Sequence, residues 1–247
     1  MEDALYDAHS MSAARFQNPI FAALDTPDLS RALEIANVIQ PHVGGLKVGL
    51  EFITALGPDA VRQIVAIGAP VFADVKFHDI PNTVAGASKA LAKLGASIFN
   101  VHCSGGEAML RAAVDAGRSV DPNVKIIGVT VLTSLEDSDL DAVGQKKPAR
   151  DQVLRLAELA KKSGLDGVVC SAHEIGPLRK ALGSDFMLVT PGIRPAGADL
   201  ADQKRVMTPL EAVTAGADIL VIGRPIAAAK DPGAAAKAIA DELKASA

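Results

Sequence analysis

Short apolar runs recur eight times along the chain and alternate with stretches in which apolar residues follow helical spacing. The runs occupy 20–24, 45–49, 71–75, 97–101, 125–131, 167–170, 186–189 and 218–223. Helical spacing is clearest over 29–39, 60–67, 84–94, 153–162 and 234–243. Strands that alternate with helices are joined by crossovers, so the sheet is predicted to be parallel. Eight such units predict a (β/α)8 TIM barrel of the α/β class.

The size of the chain suits a single barrel domain. It has 247 residues, of which 49% are hydrophobic and 22% charged, and no linker or charge block divides it. We assign residues 19–247 to the barrel and residues 1–18 to an N-terminal extension that carries no motif. Two long connections, 133–148 and 191–208, follow strand ends on the face where barrel enzymes build their sites.

Charge and cysteine usage narrow the classes of partner and compartment. A formal net charge of −4 argues against a nucleic-acid or anionic-membrane surface, since phosphate backbones are bound through excess Lys and Arg. No run approaches the roughly 18 apolar residues of a membrane span, and the N-terminus lacks a secretory core. Cys103 and Cys170 have neither metal-site nor disulfide spacing. We therefore expect a cytoplasmic protein with buried thiols and no metal.

Charged residues end three neighbouring apolar runs, and we name them the charged tetrad: Asp25, Lys47, Asp74 and Lys76. Asp74 and Lys76 are two positions apart, which in an extended strand directs both side chains to one face, the barrel mouth. Adjacent parallel strands would bring all four together. Buried charges are tolerated only in pairs, so an alternating array at a strand-end face is more typical of a functional site than of a core.

Other readings of this segment stay open. Asp74 and Lys76 could form a structural ion pair, and Asp79, where the chain turns, could cap the next helix. If the strand ends one residue after Lys76 and the chain then turns, the His78 side chain leaves the face of Lys76, so we favour a structural role for it. His102, near the end of the neighbouring strand, could support the site. Cys103 is expected to be a buried thiol rather than a nucleophile.

A second constellation follows the last two strands, where barrels of this kind commonly bind phosphate. One stretch runs through 190–195 and includes Arg194, and the other contains Gly223 and Arg224. Glycine lets backbone N–H groups approach phosphate oxygens, and arginine supplies positive charge. The pattern predicts a phosphate site at these two loops.

Seven segments of the chain resemble, in order, motifs of the orotidine 5′-phosphate decarboxylase family. They are LDTPD, GLKVGLE, FADVKFHDIPNTV, VHCSGG, VTVLTS, VTPGIRP and VIGRPI, and the resemblance spans about 21–243. It implies a homodimeric, cofactor-free enzyme of pyrimidine biosynthesis that converts orotidine 5′-phosphate to UMP.

The resemblance also implies residue roles, position by position. Asp25 and Lys47 would hold the ribose, and Lys47, Asp74, Lys76 and Asp79 would form the charged network at the reacting carbon, with Asp79 coming from the other subunit. Thr83 lies in the same motif, and Thr133 matches the hydroxyl that contacts the pyrimidine. The lid and phosphate contacts would be Arg194, Gln203, Gly223 and Arg224.

The chemistry fits these roles, because loss of CO2 leaves an anion at C6 that Lys76 could stabilise and protonate. One alternative is a Mg²⁺-dependent sugar-phosphate decarboxylase or aldolase of the same barrel superfamily, which shares an Asp-x-Lys-x-x-Asp pattern. The IPNTV continuation and Thr133 argue against it. The other alternative is a non-catalytic barrel that binds a phosphate ligand, which would not need Lys76 beside Asp74.

Overall fold

Eight parallel strands close into one barrel in the computed structural model, which describes residues 16–195 and 207–245. The strands are β1 (Ile20–Ala23), β2 (Gly45–Val48), β3 (Val71–Phe77), β4 (Ile98–His102), β5 (Lys125–Val129), β6 (Gly167–Val169), β7 (Met187–Pro191) and β8 (Ile219–Ile222). Neighbouring strands pair in parallel, and β1 pairs with β8. The predicted fold is confirmed.

Helices alternate with the strands on the outside of the barrel. They are α1 (Leu29–Ile39), α2 (Leu50–Val65), α3 (Pro81–Lys93), α4 (Glu107–Arg118), α5 (Asp137–Ala142), α6 (Ala149–Lys162), α7 (Ile175–Leu182), α8 (Pro209–Ala215), α9 (Arg224–Ala227) and α10 (Pro232–Ala245). Short 3₁₀ turns lie at Gln40–His42, Cys103–Gly105 and Ala172–Glu174. Within the described part of the chain, no helix is both long and apolar enough to cross a membrane.

Three elements differ from the sequence prediction in their extent. β3 continues to Phe77, two residues beyond the predicted run. α2 begins at Leu50 rather than near residue 60, and it is interrupted at Gly57, whose φ is +75°. Glycine tolerates this left-handed conformation, and Pro58 follows it directly. The helical spacing of apolar residues is therefore broken at this point, and only the part after it was predicted as a helix. α5 occupies the middle of the predicted connection 133–148.

An apolar layer fills the barrel below its mouth. Its buried members are Phe21, Phe72, Ile98, Ile127, Met187, Val189 and Ile219. Gly45 makes room for this layer, because a Cβ there would lie 2.3 Å from a ring carbon of Phe21. The Phe16 ring packs edge-on against Phe21 with centroids 5.0 Å apart, so contacts with the barrel interior begin upstream of the strands. The charged side chains that follow on β2 and β3 therefore rest on an apolar floor.

Ion pairs also join strands at the opposite end of the barrel. Asp166, which precedes β6, accepts hydrogen bonds from the backbone N–H of Ile126 at 2.9 Å and from Arg118 at 3.0 Å. Lys125, the first residue of β5, lies 3.5 Å from the same carboxylate. Charged groups at this face of a barrel serve stability rather than chemistry.

Candidate active site

The four side chains of the charged tetrad meet at the carboxyl ends of β1, β2 and β3. Lys47 Nζ donates to both oxygens of Asp25, at 2.7 and 2.9 Å, and lies 3.9 Å from Asp74 Oδ2. Lys76 Nζ donates to Asp74 Oδ1 at 2.5 Å. Acid and ammonium therefore alternate along one continuous line from Asp25 to Lys76, as the sequence predicts.

Exposure increases along this array from Lys47 to Lys76. The Lys47 side chain is only 7% exposed, Asp74 is 18% exposed and Lys76 is 29% exposed. Charge interactions gain strength as water is excluded, so those of Lys47 and Asp74 are the least screened. Lys76 keeps enough open surface to meet a ligand.

Lys76 reaches the mouth by a backbone irregularity that strand alternation does not predict. Between the register pairs Ala73↔Phe99 and Phe77↔Val101, β3 has three residues where β4 has one. Lys76 itself has a φ of +50°, the only positive value at a non-glycine residue among those described. The prediction that both side chains face the mouth is right, but the reason given for it, a regular extended strand, is wrong.

Two residues next to the tetrad were missed from sequence. Asn100 on β4 is fully buried and hydrogen-bonds to both Asp74 and Lys76. Gly49 follows β2, and a Cβ there would come within 3.0 Å of both Asp25 Oδ1 and Lys47 Nζ. Two features of the sequence could have indicated them: an amide side chain inside the apolar run 97–101, and a glycine two residues after Lys47.

Two cavities adjoin the tetrad. The first, of about 190 Å³, is lined by Asp74, Lys76 and Thr133 together with apolar residues of the barrel interior. The second, of about 260 Å³, is lined by Asp25, Gly223 and Arg224. Because Lys47 bridges Asp25 to Asp74, the ion-paired chain connects one cavity to the other.

Asp79 and Thr83 lie outside these cavities. Both residues are exposed, and Asp79 lines an open depression of the surface together with His78, Ile80 and Ser104. The alternative in which Asp79 caps α3 is wrong, since the N-cap position is Ile80 and no side chain caps this helix end. Asp79 instead accepts a hydrogen bond from the Ile80 N–H at 2.6 Å. Within one chain, these two residues do not join the tetrad.

Arg194 and Gln203 belong to the predicted connection after β7. Arg194 is buried, and its Nη1 donates to the carbonyl of Ile193 at 3.0 Å. Gln203 lies outside the described residues. The structure thus brings Gly223 and Arg224 to a cavity beside Asp25.

One histidine and two cysteines in this part of the barrel have shifted pKa values. Burial, followed by the positive charges of His78 and Lys76, lowers the pKa of His102 below its usual 6.5. The His78 and His102 rings lie with centroids 5.4 Å apart. Burial raises the pKa of both Cys103 and Cys170 to about 12. Neither thiol is suited to act as a nucleophile, since thiolates carry that reactivity.

Comparison with known proteins decides the family. The model of the orotidine 5′-phosphate decarboxylase / HUMPS family matches residues 18–239. The chain belongs to this family. A curated member named orotidine 5′-phosphate decarboxylase from Moorella thermoacetica is 53% identical, with 92% of this chain and 93% of the relative covered. One of the same name from Paramagnetospirillum magneticum is 50% identical over 92% of this chain and 98% of the relative.

Solved structures of the decarboxylase family share the fold. The crystal structure of orotidine 5′-phosphate decarboxylase from Lactobacillus acidophilus has a TM-score of 0.82 at 39% identity, covering 92% of this chain and 99% of that one. The enzyme of that name from Pyrococcus horikoshii has a TM-score of 0.74 at 29% identity, covering 91% and 99%. The barrel fold is therefore that of the family.

Proposed function

We propose that this protein decarboxylates orotidine 5′-phosphate to UMP in pyrimidine biosynthesis, without a metal or other cofactor. The observation that carries the proposal is the 2.5 Å contact between Lys76 Nζ and Asp74 at the edge of an apolar cavity. The contact holds the Lys76 ammonium, a positive charge, at the place where a carbanion would form. The relatives that share half of the sequence bear the name of this activity.

The two cavities suggest how a nucleotide would lie. The pyrimidine would enter the first cavity, where Thr133 offers a hydroxyl and apolar side chains cover the ring. The ribose would meet the Asp25–Lys47 pair between the cavities. The phosphate would reach Gly223 and Arg224 in the second cavity. We propose that Arg194 and Gln203 contribute further contacts on this side.

The charged tetrad supplies the groups that act directly in the chemical step. As the bond from C6 to the carboxylate breaks, CO2 leaves and the electron pair remains on C6. Lys76 stabilises that pair and transfers a proton to it, and the neutral amine then regains a proton from solvent. Asp74 holds the ammonium in place, and we assign the larger part of catalysis to this preorganisation rather than to repulsion of the substrate carboxylate.

A spectroscopic assay tests the activity. Purified protein is expected to reduce the absorbance of orotidine 5′-phosphate as UMP forms, at the same rate before and after exhaustive treatment with EDTA. Loss of activity on chelation with rescue by Mg²⁺ would favour the sugar-phosphate alternative. Binding of the nucleotide without turnover would favour the non-catalytic phosphate-binding barrel.

We further propose a homodimer in which each site receives Asp79 and Thr83 from the partner subunit. Both residues are exposed and stand apart from the tetrad of their own chain. Ile80 between them is 67% exposed, a large apolar surface at a motif that the family resemblance assigns to the site. Burial of this surface against a second copy would account for its composition.

Mixed dimers test the shared site. Asp79→Ala and Lys76→Ala homodimers are each expected to be nearly inactive, because every site lacks one charge. A mixed dimer would hold one complete site of two, and random exchange makes about half of the dimers mixed. Activity is therefore expected to recover to roughly a quarter of wild type in a twofold dimer. With subunit exchange verified separately, no recovery would rule out the shared site.

We also propose a cytoplasmic location, which rests on the two buried free thiols, Cys103 and Cys170. The division into an extension of residues 1–18 and a barrel of residues 19–247 likewise remains our proposal. Limited proteolysis from the N-terminus, followed by the activity assay, tests that boundary.

A further inference from the structure

Asn100 is a fully buried amide on β4, and each end of it hydrogen-bonds to a different member of the charged tetrad. Its Oδ1 accepts the backbone N–H of Lys76 at 2.7 Å. Its Nδ2 donates to Asp74 Oδ1 at 2.7 Å, the same oxygen that receives Lys76 Nζ. A buried amide is costly unless both of its ends are satisfied, and here both are directed at the site.

The register explains why this contact is needed. Asn100 is the single β4 residue opposite the three-residue segment from Asp74 to Lys76, between the register pairs at Phe99 and Val101. A bulge of this kind takes backbone groups out of the ladder, and the Asn100 side chain replaces the lost partner of the Lys76 N–H. Lys76 also has a φ of +50°, a conformation that persists only when its surroundings enforce it.

We infer that Asn100 is a positioning residue, which fixes the Lys76 ammonium and the Asp74 carboxylate relative to each other. It acts through both at once, since its carbonyl holds the backbone of one and its NH2 holds the carboxylate of the other. Because the amide is neutral, it orders the array without adding charge. The inference rests on the proposed decarboxylation, in which the position of Lys76 decides the rate of the chemical step.

Two variants separate positioning from simple packing. Asn100→Leu keeps a similar volume and removes both hydrogen bonds, and kcat is expected to fall roughly 10- to 100-fold with little change in the Kd for UMP. Asn100→Asp keeps the acceptor for the Lys76 N–H but turns a second carboxylate toward Asp74. Hydrogen exchange at the Lys76 amide is expected to accelerate in the first variant and not in the second.

The aspartate variant supplies a pH test. The introduced carboxyl would meet Asp74 and the Lys76 backbone directly. Lys47 pairs with the same Asp74, and His102 interacts with the charges of Asp74, Lys76 and His78. Protonated, the introduced carboxyl can donate to Asp74 as the amide does; ionised, it repels Asp74. Activity relative to wild type at each pH is therefore expected to recover as the pH falls. Loss of packing alone would give a ratio independent of pH.

Thr130→Val provides the matched control. Thr130 is also buried, and its hydroxyl donates to the carbonyl of Val169 at 3.1 Å rather than to a member of the tetrad. It is expected to retain wild-type kcat. If wild type turns over the nucleotide but Asn100→Leu keeps its kcat, or Asn100→Asp shows no pH-dependent recovery, the positioning role is refuted. An inactive wild type would instead refute the proposed function.

Discussion

Replacing Lys47 by methionine tests whether the charged tetrad acts as one array. The substitution keeps an unbranched apolar stem in the buried position and removes only the ammonium. Two carboxylates, Asp25 and Asp74, then remain with a single lysine, so the formal charge of the tetrad changes from zero to −1. The substrate is itself an anion, and it would meet a more negative site.

The distances set the size of the effect. Lys47 Nζ lies 3.9 Å from Asp74 Oδ2, and at an effective dielectric constant of 20 this attraction is about 4 kcal/mol. The two hydrogen bonds to Asp25 are worth less, since that carboxylate is 48% exposed and screened by solvent. Water that enters the space left by the ammonium offsets part of the lost attraction. The pair of Lys47 and Asp74 is also intact in the free enzyme, so kcat/KM loses only the part by which Lys47 favours the anionic transition state over the empty site. With an anionic substrate facing a site that is one charge more negative, we expect this part to amount to a penalty of about 3 kcal/mol, or roughly 150-fold in kcat/KM.

Steady-state kinetics on orotidine 5′-phosphate and the Kd for UMP measure this penalty. KM should rise because Asp25 loses its anchor, and kcat should fall because Asp74 loses one of its two lysines. Lys125→Met is the matched control, since Lys125 also pairs with an aspartate at a strand end, but at the opposite end of the barrel. If Lys47→Met stayed within threefold of wild type, or Lys125→Met lost as much activity, the array would not be the source of the effect.

Two other predictions concern the phosphate cavity and pH. Arg224→Ala, and wild type acting on the nucleoside without its phosphate, should each lose kcat/KM by several orders of magnitude; a wild-type rate for Arg224→Ala would remove the phosphate assignment. Burial, then the charges of His78 and Lys76, lowers the pKa of His102 below 6.5, so at mildly acidic pH the unfolded chain binds a proton that the folded chain does not. The resulting stability is present above pH 6.5 and is lost as the pH falls through the lowered pKa. His102→Gln should therefore lose less Tm than wild type between about pH 7 and pH 5, and parallel Tm curves would contradict this.

The barrel could be predicted because its signal repeats. Eight apolar runs separated by helical patterns leave few arrangements of a parallel sheet, and a residue or two of error at a strand end does not alter the topology. The interruption at Gly57 hid half of α2, since a pattern broken by Gly-Pro resembles a loop.

The meeting of the four tetrad residues could be predicted from the sequence, but their geometry only partly. The two-residue spacing of Asp74 and Lys76 fits a regular strand. It therefore predicted neither the bulge in β3 nor the positive φ of Lys76. Asn100 is paired through space with residues 24 and 26 positions earlier, and a single polar residue in an apolar run does not reveal its partner. The proposed role of Asp79 in the site of a partner subunit depends on a second copy, which one sequence does not describe.

The most direct test of the account is the Lys76→Ala variant, with turnover and product affinity measured on the same preparation. Because the ammonium is needed most as the carbanion forms, kcat should fall by at least about 10³-fold, while the Kd for UMP changes less than about tenfold. A correctly folded Lys76→Ala enzyme with near-normal kcat would contradict the central claim that Lys76 stabilises and protonates C6.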